Sequence, residues 1–204
     1  MLILFFAHGG KEFLNEVLFA VLSYYQHHKA NENKLVIYTD NVAYFKETLP
    51  REITYVPVTS EQIKQWRGTI DFVHRIKIEI LSDAFSRFPE QNILYLDSDI
   101  HFKENISFLQ TKIENNIPIM SLKEGNIFKS KLRHFRKLAS YLSSHQHIIA
   151  LTPPIKVPLE LYMYNAGIIG LSSNDKDIVD KALLITDFLY PYVHTHVTEQ
   201  FAFS

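Results

Sequence analysis

Short apolar segments alternate with helix-length segments through the first half of the chain. The apolar segments are four to six residues long, too short for a stable helix, and they end in polar or turn-forming residues. The longer segments carry apolar residues at spacings of three and four, which is typical of amphipathic helices. The predicted strands are residues 2–7, 35–38, 53–58 and 93–96, and the predicted helices are residues 11–28, 42–48 and 69–88.

This alternation predicts an α/β fold in three αβα layers, with a central mixed, mostly parallel sheet. The order is less regular in the second half, where the pattern predicts a strand at 117–122, a helix at 128–144, a strand–turn–strand at 163–171 and a helix at 174–189. No repeat, low-complexity segment or linker interrupts the 204 residues. We therefore expect a single domain over residues 1–204.

The composition excludes several classes of function. The net charge is -1, so the chain has no overall basic field that would attract nucleic acid. It has no cysteine, which rules out disulfides and thiolate chemistry and agrees with a reducing cytoplasm. No apolar run is long enough to span a membrane, and the apolar start lacks the basic region of a signal peptide. We expect a cytoplasmic protein.

Two carboxylates follow the apolar segment 93–96. Asp97 and Asp99 flank Ser98 at the carboxyl end of this predicted strand, the edge of an open α/β sheet at which ligands bind. In an extended chain, residues two apart point to the same side, so both carboxylates could approach one Mn²⁺ or Mg²⁺. Such an ion bridges substrate phosphates and offsets the charge of a departing diphosphate. The alternative is a pair of solvated acids in a turn.

A lysine lies in the apolar stripe of the predicted helix 69–88. Lys77 falls at the centre of the stripe, where an unpaired ammonium is costly to bury. It could bind the diphosphate of a ligand, and Lys77→Met could then stabilise the ligand-free protein. It could instead form a structural ion pair with a buried carboxylate. Arg75 has Asp71 and Glu79 four residues to either side, which favours a solvated row of ion pairs.

Six segments, taken in order, resemble nucleotide-sugar transferases of the GT-A fold, with the greatest likeness to glycosyltransferase family eight and its bacterial relatives. They cover nearly the whole chain and include a late acidic residue followed by glutamine. The segments are residues 4–10 (LFFAHGG), 36–40 (VIYTD), 74–77 (HRIK), 93–99 (ILYLDSD), 164–170 (YNAGIIG) and 199–202 (EQFA).

The resemblance implies a metal-dependent hexosyltransferase that moves a sugar from a nucleotide-diphosphate donor to a hydroxyl acceptor, as in polysaccharide biosynthesis. Two roles stay open for the pair Glu199 and Gln200. Glu199 could act as the general base of an inverting enzyme, or Glu199 and Gln200 could line the site of a retaining enzyme. The implied residues are Ala7, His8, Gly9 and Asp40 at the base, Lys77 at the diphosphate, Asp97 and Asp99 at the metal, Ser98 at the ribose, Asn165 and Gly167 at the donor sugar, and Glu199 and Gln200 beside the anomeric carbon.

The chain departs from the family pattern in two ways. Family members carry a further metal ligand, often histidine, downstream of the acidic–glutamine pair, whereas this chain stops at Ser204, so we expect it to be truncated at its C-terminus. Glu199 stands where many relatives have aspartate. One alternative function is a non-catalytic scaffold subunit that binds nucleotide sugars, and another is a sugar-nucleotide pyrophosphorylase. A phosphatase with an aspartate nucleophile would carry its acidic pair near the first strand.

Two further features have alternative interpretations. Residues 128–142 combine an apolar stripe with five basic residues, which suits peripheral contact with an anionic membrane or a lipid-linked acceptor, or an ordinary surface helix. We favour the surface helix. His194 and His196 have the spacing of metal ligands on an extended chain, but a chance pair is favoured among ten histidines.

Overall fold

The structure is a computed structural model that describes residues 1–29, 32–49, 52–145, 147–158 and 160–204. Strands and helices alternate regularly as far as β4 and less regularly thereafter. The elements in chain order are β1 (Leu2–Ala7), α1 (Lys11–His27), β2 (Lys34–Thr39), α2 (Val42–Lys46), β3 (Thr54–Pro57), α3 (Ser60–Arg67), α4 (Arg75–Arg87), β4 (Ile93–Leu96), α5 (Ser107–Glu114), β5 (Ile119–Met120), β6 (Lys123–Asn126), α6 (Arg133–Ser144), β7 (His147–Ile148), β8 (Ile155–Lys156), β9 (Tyr162–Tyr164), β10 (Ile168–Leu171), α7 (Lys176–Val193) and α8 (Thr198–Phe203).

A six-stranded sheet has the order β3-β2-β1-β4-β10-β5. The first four strands in this order are parallel, and β10 runs antiparallel to β4. In this register Ala7 lies opposite Thr39, and Phe5 lies opposite Leu96. The carboxyl ends of β1, β2 and β4 therefore lie at one edge of the sheet. The predicted α/β fold with a central mixed, mostly parallel sheet is confirmed.

Contacts between residues divide the chain into two compact units. Unit 1 consists of residues 1–63, 88–119 and 167–175, and unit 2 consists of residues 64–87, 120–166 and 176–204. Unit 1 has a core in which the inward-facing residues of β1, β2 and β4 pack with the apolar stripe of α1. The fully buried Ile3, Phe5 and Tyr24 belong to this core. The single-domain assignment stays a prediction.

Unit 2 has its own core, built chiefly from α6, α7 and α8. Two short antiparallel ladders, β6–β9 and β7–β8, complete it. Arg75 is buried in this unit, where it forms ion pairs with Glu79 at 2.5 Å and with Asp187 of α7 at 2.7 Å. Burial lowers the pKa of Arg75, but hydrogen bonds and charge from Asp187 and Glu79 leave it raised. The predicted row of solvated ion pairs around Arg75 is therefore wrong in part. Glu79 pairs with Arg75 as predicted, but Arg75 is buried, and Asp71 pairs with Arg67 instead.

The helix predicted over residues 69–88 begins only at Arg75. Gly68 and Asp71 have φ of 66° and 49°, in the left-handed region that interrupts a right-handed helix. Backbone bonds from Asp71 to Gly68 and from Arg75 to Phe72 close turns there. Ile70 and Val73 therefore drop out of the helical stripe. Lys77 remains among its buried residues.

Two other predictions of secondary structure are wrong in extent. The helix predicted from 128 begins at Arg133, because the Asn126 side chain accepts from the backbone N–H of Phe128 and Lys129 and makes a turn. The strand predicted over 117–122 is reduced to Ile119–Met120. The predicted strand–turn–strand at 163–171 is present as β9 and β10, and the two strands enter different sheets, since β9 pairs with β6 and β10 pairs with β4. The pattern missed α3, α5 and α8.

None of the helices in the described part of the chain is long and apolar enough to cross a membrane.

Candidate active site

The turn after β1 is tied to the end of β2. The backbone N–H of Gly9 donates to Asp40 Oδ2 at 3.1 Å, and His8 Nε2 lies 3.7 Å from the same oxygen. Gly9 has φ of 87°, which a side chain would disfavour. Ala7 is the last residue of β1 and is buried, whereas His8 is half-buried and Asp40 is exposed. The residues predicted to border a base thus lie together.

Asp97, Ser98 and Asp99 follow β4 at the same sheet edge. They form a turn, in which the N–H of Ile100 donates to Asp97 O at 3.2 Å and the N–H of Asp97 donates to Gly167 O at 2.9 Å. The extended geometry assumed for this segment is therefore wrong, because the chain leaves the strand at Leu96. Asp97 is half-buried and Asp99 is exposed. The backbone of Asp97 is thus anchored close to the sheet, and Asp99 is presented to solvent.

Helix α1 holds the segment that follows these carboxylates. Ser98 donates its hydroxyl hydrogen to Glu16, so only its lone pairs are left for a ligand. Farther along, Ser23 Oγ accepts from the N–H of Phe102 at 2.9 Å, and His28 Nε2 accepts from that of Ile106 at 3.0 Å. These bonds fix the backbone beyond the acidic turn. Glu16 could not be predicted from the sequence, since one glutamate on a helix gives no signal of its partner.

In unit 2, Lys77 and Glu199 form a buried ion pair. Lys77 Nζ lies 3.5 Å from Glu199 Oε1 and donates to the backbone oxygen of Ala166 at 2.8 Å. The side chains are only 9% and 5% exposed. The structure therefore has the ion pair with a buried carboxylate, which is one of the two interpretations of Lys77. The other, a contact with a diphosphate, stays a prediction. Glu199 lies in the first turn of α8.

Glu124 joins two of the predicted site residues of unit 2. Its carboxylate accepts from Gln200 Nε2 at 2.5 Å and from Asn165 Nδ2 at 3.3 Å. The backbone of Asn165 also bonds to that of Ser121 and Leu122. Both amides are therefore oriented by one carboxylate on β6. Glu124 could not be predicted from the sequence, because it is separated from Gln200 by 76 residues and lies in no motif.

The same group of side chains lines an open pocket of about 520 Å³. His134 and His196 also line it, with their ring centroids 4.9 Å apart. Burial, and then the charge of His196, lowers the pKa of His134, against a smaller opposing effect of Glu124. The pocket thus combines two amides, a carboxylate, two imidazoles and the ammonium of Lys123, which suits hydrogen bonding to a polyhydroxylated ligand.

The histidines of the His194-Thr195-His196 segment have different neighbours. The His194 ring lies against Tyr190, whereas the His196 ring lies near His134 and His74. No group of three or more His, Cys, Asp or Glu side chains that could hold a metal ion occurs within the described residues. The interpretation of these histidines as a chance pair stays a prediction.

No protein-family model matches the sequence, and no curated protein matches it. Among solved structures, the galactosyltransferase LgtC in complex with donor and acceptor sugar analogues is similar, with a TM-score of 0.63 and 14% identity over 98% of this chain and 69% of that chain. An active-site mutant of LgtC, in which glutamate replaces glutamine, gives a TM-score of 0.64 at 14% identity over 98% of this chain and 68% of that one.

The glycosyltransferase GlyE of Streptococcus pneumoniae TIGR4 gives a TM-score of 0.56 at 13% identity, over 98% of this chain but 41% of that chain. At these identities the likeness concerns the fold, and it extends over almost all of this chain. The mixed, mostly parallel sheet is the one found in these enzymes. The chain has the GT-A glycosyltransferase fold.

Proposed function

We propose that this protein is a glycosyltransferase that moves a sugar from a nucleotide-diphosphate donor to a hydroxyl acceptor. The observation that carries the proposal is the placement of Asp40, Asp97 and Asp99 at the carboxyl ends of parallel strands, in a fold shared with glycosyltransferases. In open α/β sheets this edge binds ligands. LgtC, one of the similar structures, was solved with analogues of a donor and an acceptor sugar.

The turn after β1 and the end of β2 are proposed to border the nucleotide base. The Gly9–Asp40 hydrogen bond fixes the turn, and the half-buried His8 offers a ring face that a base could stack on. Ser98 would accept a hydrogen bond from the ribose, because its own hydrogen is engaged with Glu16. This edge would thereby orient the donor before its bond to the sugar breaks.

Asp97 and Asp99 are proposed to hold Mn²⁺ or Mg²⁺. Their carboxylates suit a hard divalent ion, and Mg²⁺ commonly uses one or two carboxylates together with substrate phosphates. Since the described residues contain no larger group of ligands, this donor set fits an ion shared with a diphosphate better than a protein-enclosed one. The ion, when bound, would stabilise the negative charge of the leaving diphosphate.

Residues of unit 2 are proposed to contact the sugar. Glu124 holds the amides of Asn165 and Gln200, so their remaining polar atoms are oriented for sugar hydroxyls. Lys77 fixes the carboxylate of Glu199. A negative charge held in this way would stabilise the positive character that develops on the anomeric carbon. An active-site glutamine is also a feature of LgtC.

Titration calorimetry with Mn²⁺ and a panel of nucleoside diphosphates tests the metal and donor assignments. Asp97→Asn and Asp99→Asn should each abolish Mn²⁺-dependent binding and leave the fold intact, because each removes one charged ligand. Glu104→Gln, which changes an exposed acid beyond the turn, is the matched control and should bind normally. Unchanged affinity in both aspartate variants would refute the metal site.

Turnover separates an enzyme from a scaffold. The protein is incubated with Mn²⁺ and a panel of nucleotide sugars, and release of nucleoside diphosphate is measured with and without candidate acceptors. Release that depends on Asp97 supports a transferase. Mn²⁺-dependent binding without any release across the panel would instead identify a non-catalytic nucleotide-sugar-binding subunit.

A further inference from the structure

A second cavity lies in unit 2, between the start of α6 and the end of α7. Its volume is about 860 Å³, and it shares no lining residue with the pocket around Glu124. Arg133, Arg136 and Lys137 line it on the α6 side, and Tyr192 and His194 line it on the α7 side. None of the lining residues is acidic. The cavity is therefore strongly basic in a protein whose net charge is -1.

The three cations lie on one face of α6. Positions 133, 136 and 137 are related by three and four residues, so their side chains are neighbours. The opposite face, with Phe135, Leu138 and Leu142, is buried in the core of unit 2. This burial holds the helix in place and directs the charges away from the core. It also means that the apolar stripe is not available for insertion into a membrane.

The charges are arranged against the stability of the helix. Like charges at these spacings repel, and cations near the start of a helix oppose its dipole. The first turn of α6 has no acidic residue, and its last turn has no basic one. Within the described residues, no carboxylate forms an ion pair with any of the three cations. The three cations therefore do not stabilise the folded protein, whereas they would stabilise a bound anion.

We infer that this cavity binds a phosphate or diphosphate ester group. Three positive charges match a group with about two negative charges, which a phosphate monoester carries at neutral pH and a single carboxylate does not. Arginine forks pair with phosphate oxygens through two parallel hydrogen bonds. Phe128 and the exposed Tyr192 add apolar surface for the remainder of the ligand. The site is distinct from the residues assigned above to the donor.

The test compares wild type with the triple variant Arg133→Gln, Arg136→Gln and Lys137→Gln. A control variant neutralises three exposed lysines of the same unit, Lys64→Gln, Lys156→Gln and Lys176→Gln, so both variants change the charge equally. Inorganic pyrophosphate is titrated in EDTA, which keeps metal-dependent binding elsewhere silent. Sedimentation with phosphatidylcholine vesicles, with and without phosphatidic acid, whose headgroup is a phosphate monoester, tests a lipid phosphate. Circular dichroism confirms that both variants fold.

Pyrophosphate binding that weakens at least about tenfold in the triple variant, but not in the control, supports a site for a soluble phosphate ester. Binding only to phosphatidic acid vesicles, with the same loss, supports the site with a lipid headgroup as its ligand. Equal binding by the two variants, or no binding by wild type in either arm, overturns the inference. The triple variant should unfold at the wild-type temperature or above it, because repulsion is removed.

Discussion

The buried pair of Lys77 and Glu199 makes a strong prediction about stability. Lys77→Met keeps an unbranched side chain that is shorter by one atom, and it removes the charge. If the ammonium had no partner, this change would stabilise the protein. In the structure, however, the ammonium lies 3.5 Å from the carboxylate of Glu199, which is 5% exposed, and donates to Ala166 O at 2.8 Å. The substitution removes both of these contacts. We therefore expect a large destabilisation.

The size follows from the geometry. Two unit charges at this separation interact by roughly 5 kcal/mol at an effective dielectric constant of about 20. Removing one partner of a buried pair costs typically about 3–5 kcal/mol. For a chain of this length, that corresponds to a fall in Tm of roughly 10 °C. Removing both charges should cost less than the sum of the single changes, with a coupling free energy of about 2–3 kcal/mol.

Equilibrium unfolding in urea measures these values. Trp66 is the only tryptophan and is buried in unit 2, so its fluorescence reports on the unit that holds the pair. Wild type is compared with Lys77→Met, Glu199→Gln and the double variant. Lys181→Met is the matched control, because Lys181 pairs with Asp177 on the surface at 55% and 64% exposure. The control should change stability by less than about 1 kcal/mol.

Two results would refute this reasoning. One is a free energy of unfolding for Lys77→Met that is as close to wild type as that of Lys181→Met. The other is strict additivity of Lys77→Met and Glu199→Gln in the double variant. Either would mean that the two side chains do not interact appreciably in solution, and that neither fixes the other.

Three more predictions concern unit 2. Glu199→Gln should slow sugar transfer by about 10²–10⁴-fold in an inverting enzyme, whereas the affinity for nucleoside diphosphate, measured by calorimetry, should not change. A wild-type rate of transfer would show that Glu199 has no part in catalysis. Glu124→Ala frees the two amides that it holds, so transfer should fall by roughly 10- to 100-fold, whereas the exposed Glu160→Ala should not slow it. Burial, and then the charge of a neighbouring histidine, lowers the pKa of His134 from its usual 6.5. The neutral imidazole of His134 therefore contributes to stability above pH 6.5, and this contribution is lost as the pH falls through the lowered pKa. Urea unfolding across this range should show a weaker pH dependence for His134→Gln than for wild type or the exposed His27→Gln, and identical profiles would contradict the assignment.

Local patterns in the sequence were sufficient for the four parallel strands of the central sheet and for the edge at which three of them end. The run 93–96 is buried as β4, and residues 97–99 follow it at the edge shared with the ends of β1 and β2. This could be predicted because a strand buried on both faces is uniformly apolar, and its end is marked by the first polar residues. The parallel direction of these strands could then be predicted from the helices between them.

Local patterns were insufficient where backbone conformation competed with apolar spacing. The spacing predicts a helix from residue 69, but Gly68 and Asp71 adopt left-handed conformations and delay α4 to Arg75. The spacing also predicts a helix from 128, but Asn126 makes a turn there. Periodicity measures where apolar side chains could be buried, and it does not include hydrogen bonds that favour a turn.

The partners of the polar side chains depend on contacts between distant parts of the chain. Sequence placed Lys77 in an apolar stripe and singled out Glu199, but these residues are 122 positions apart, and nothing local joins them. Glu124 lies in no motif, although it orients both Asn165 and Gln200. Burial of a polar group can be inferred from its apolar neighbours along a helix, because those neighbours share its face. The hydrogen-bond or ion-pair partner of such a group depends instead on how whole helices and strands pack, since these interactions act only over a few ångströms.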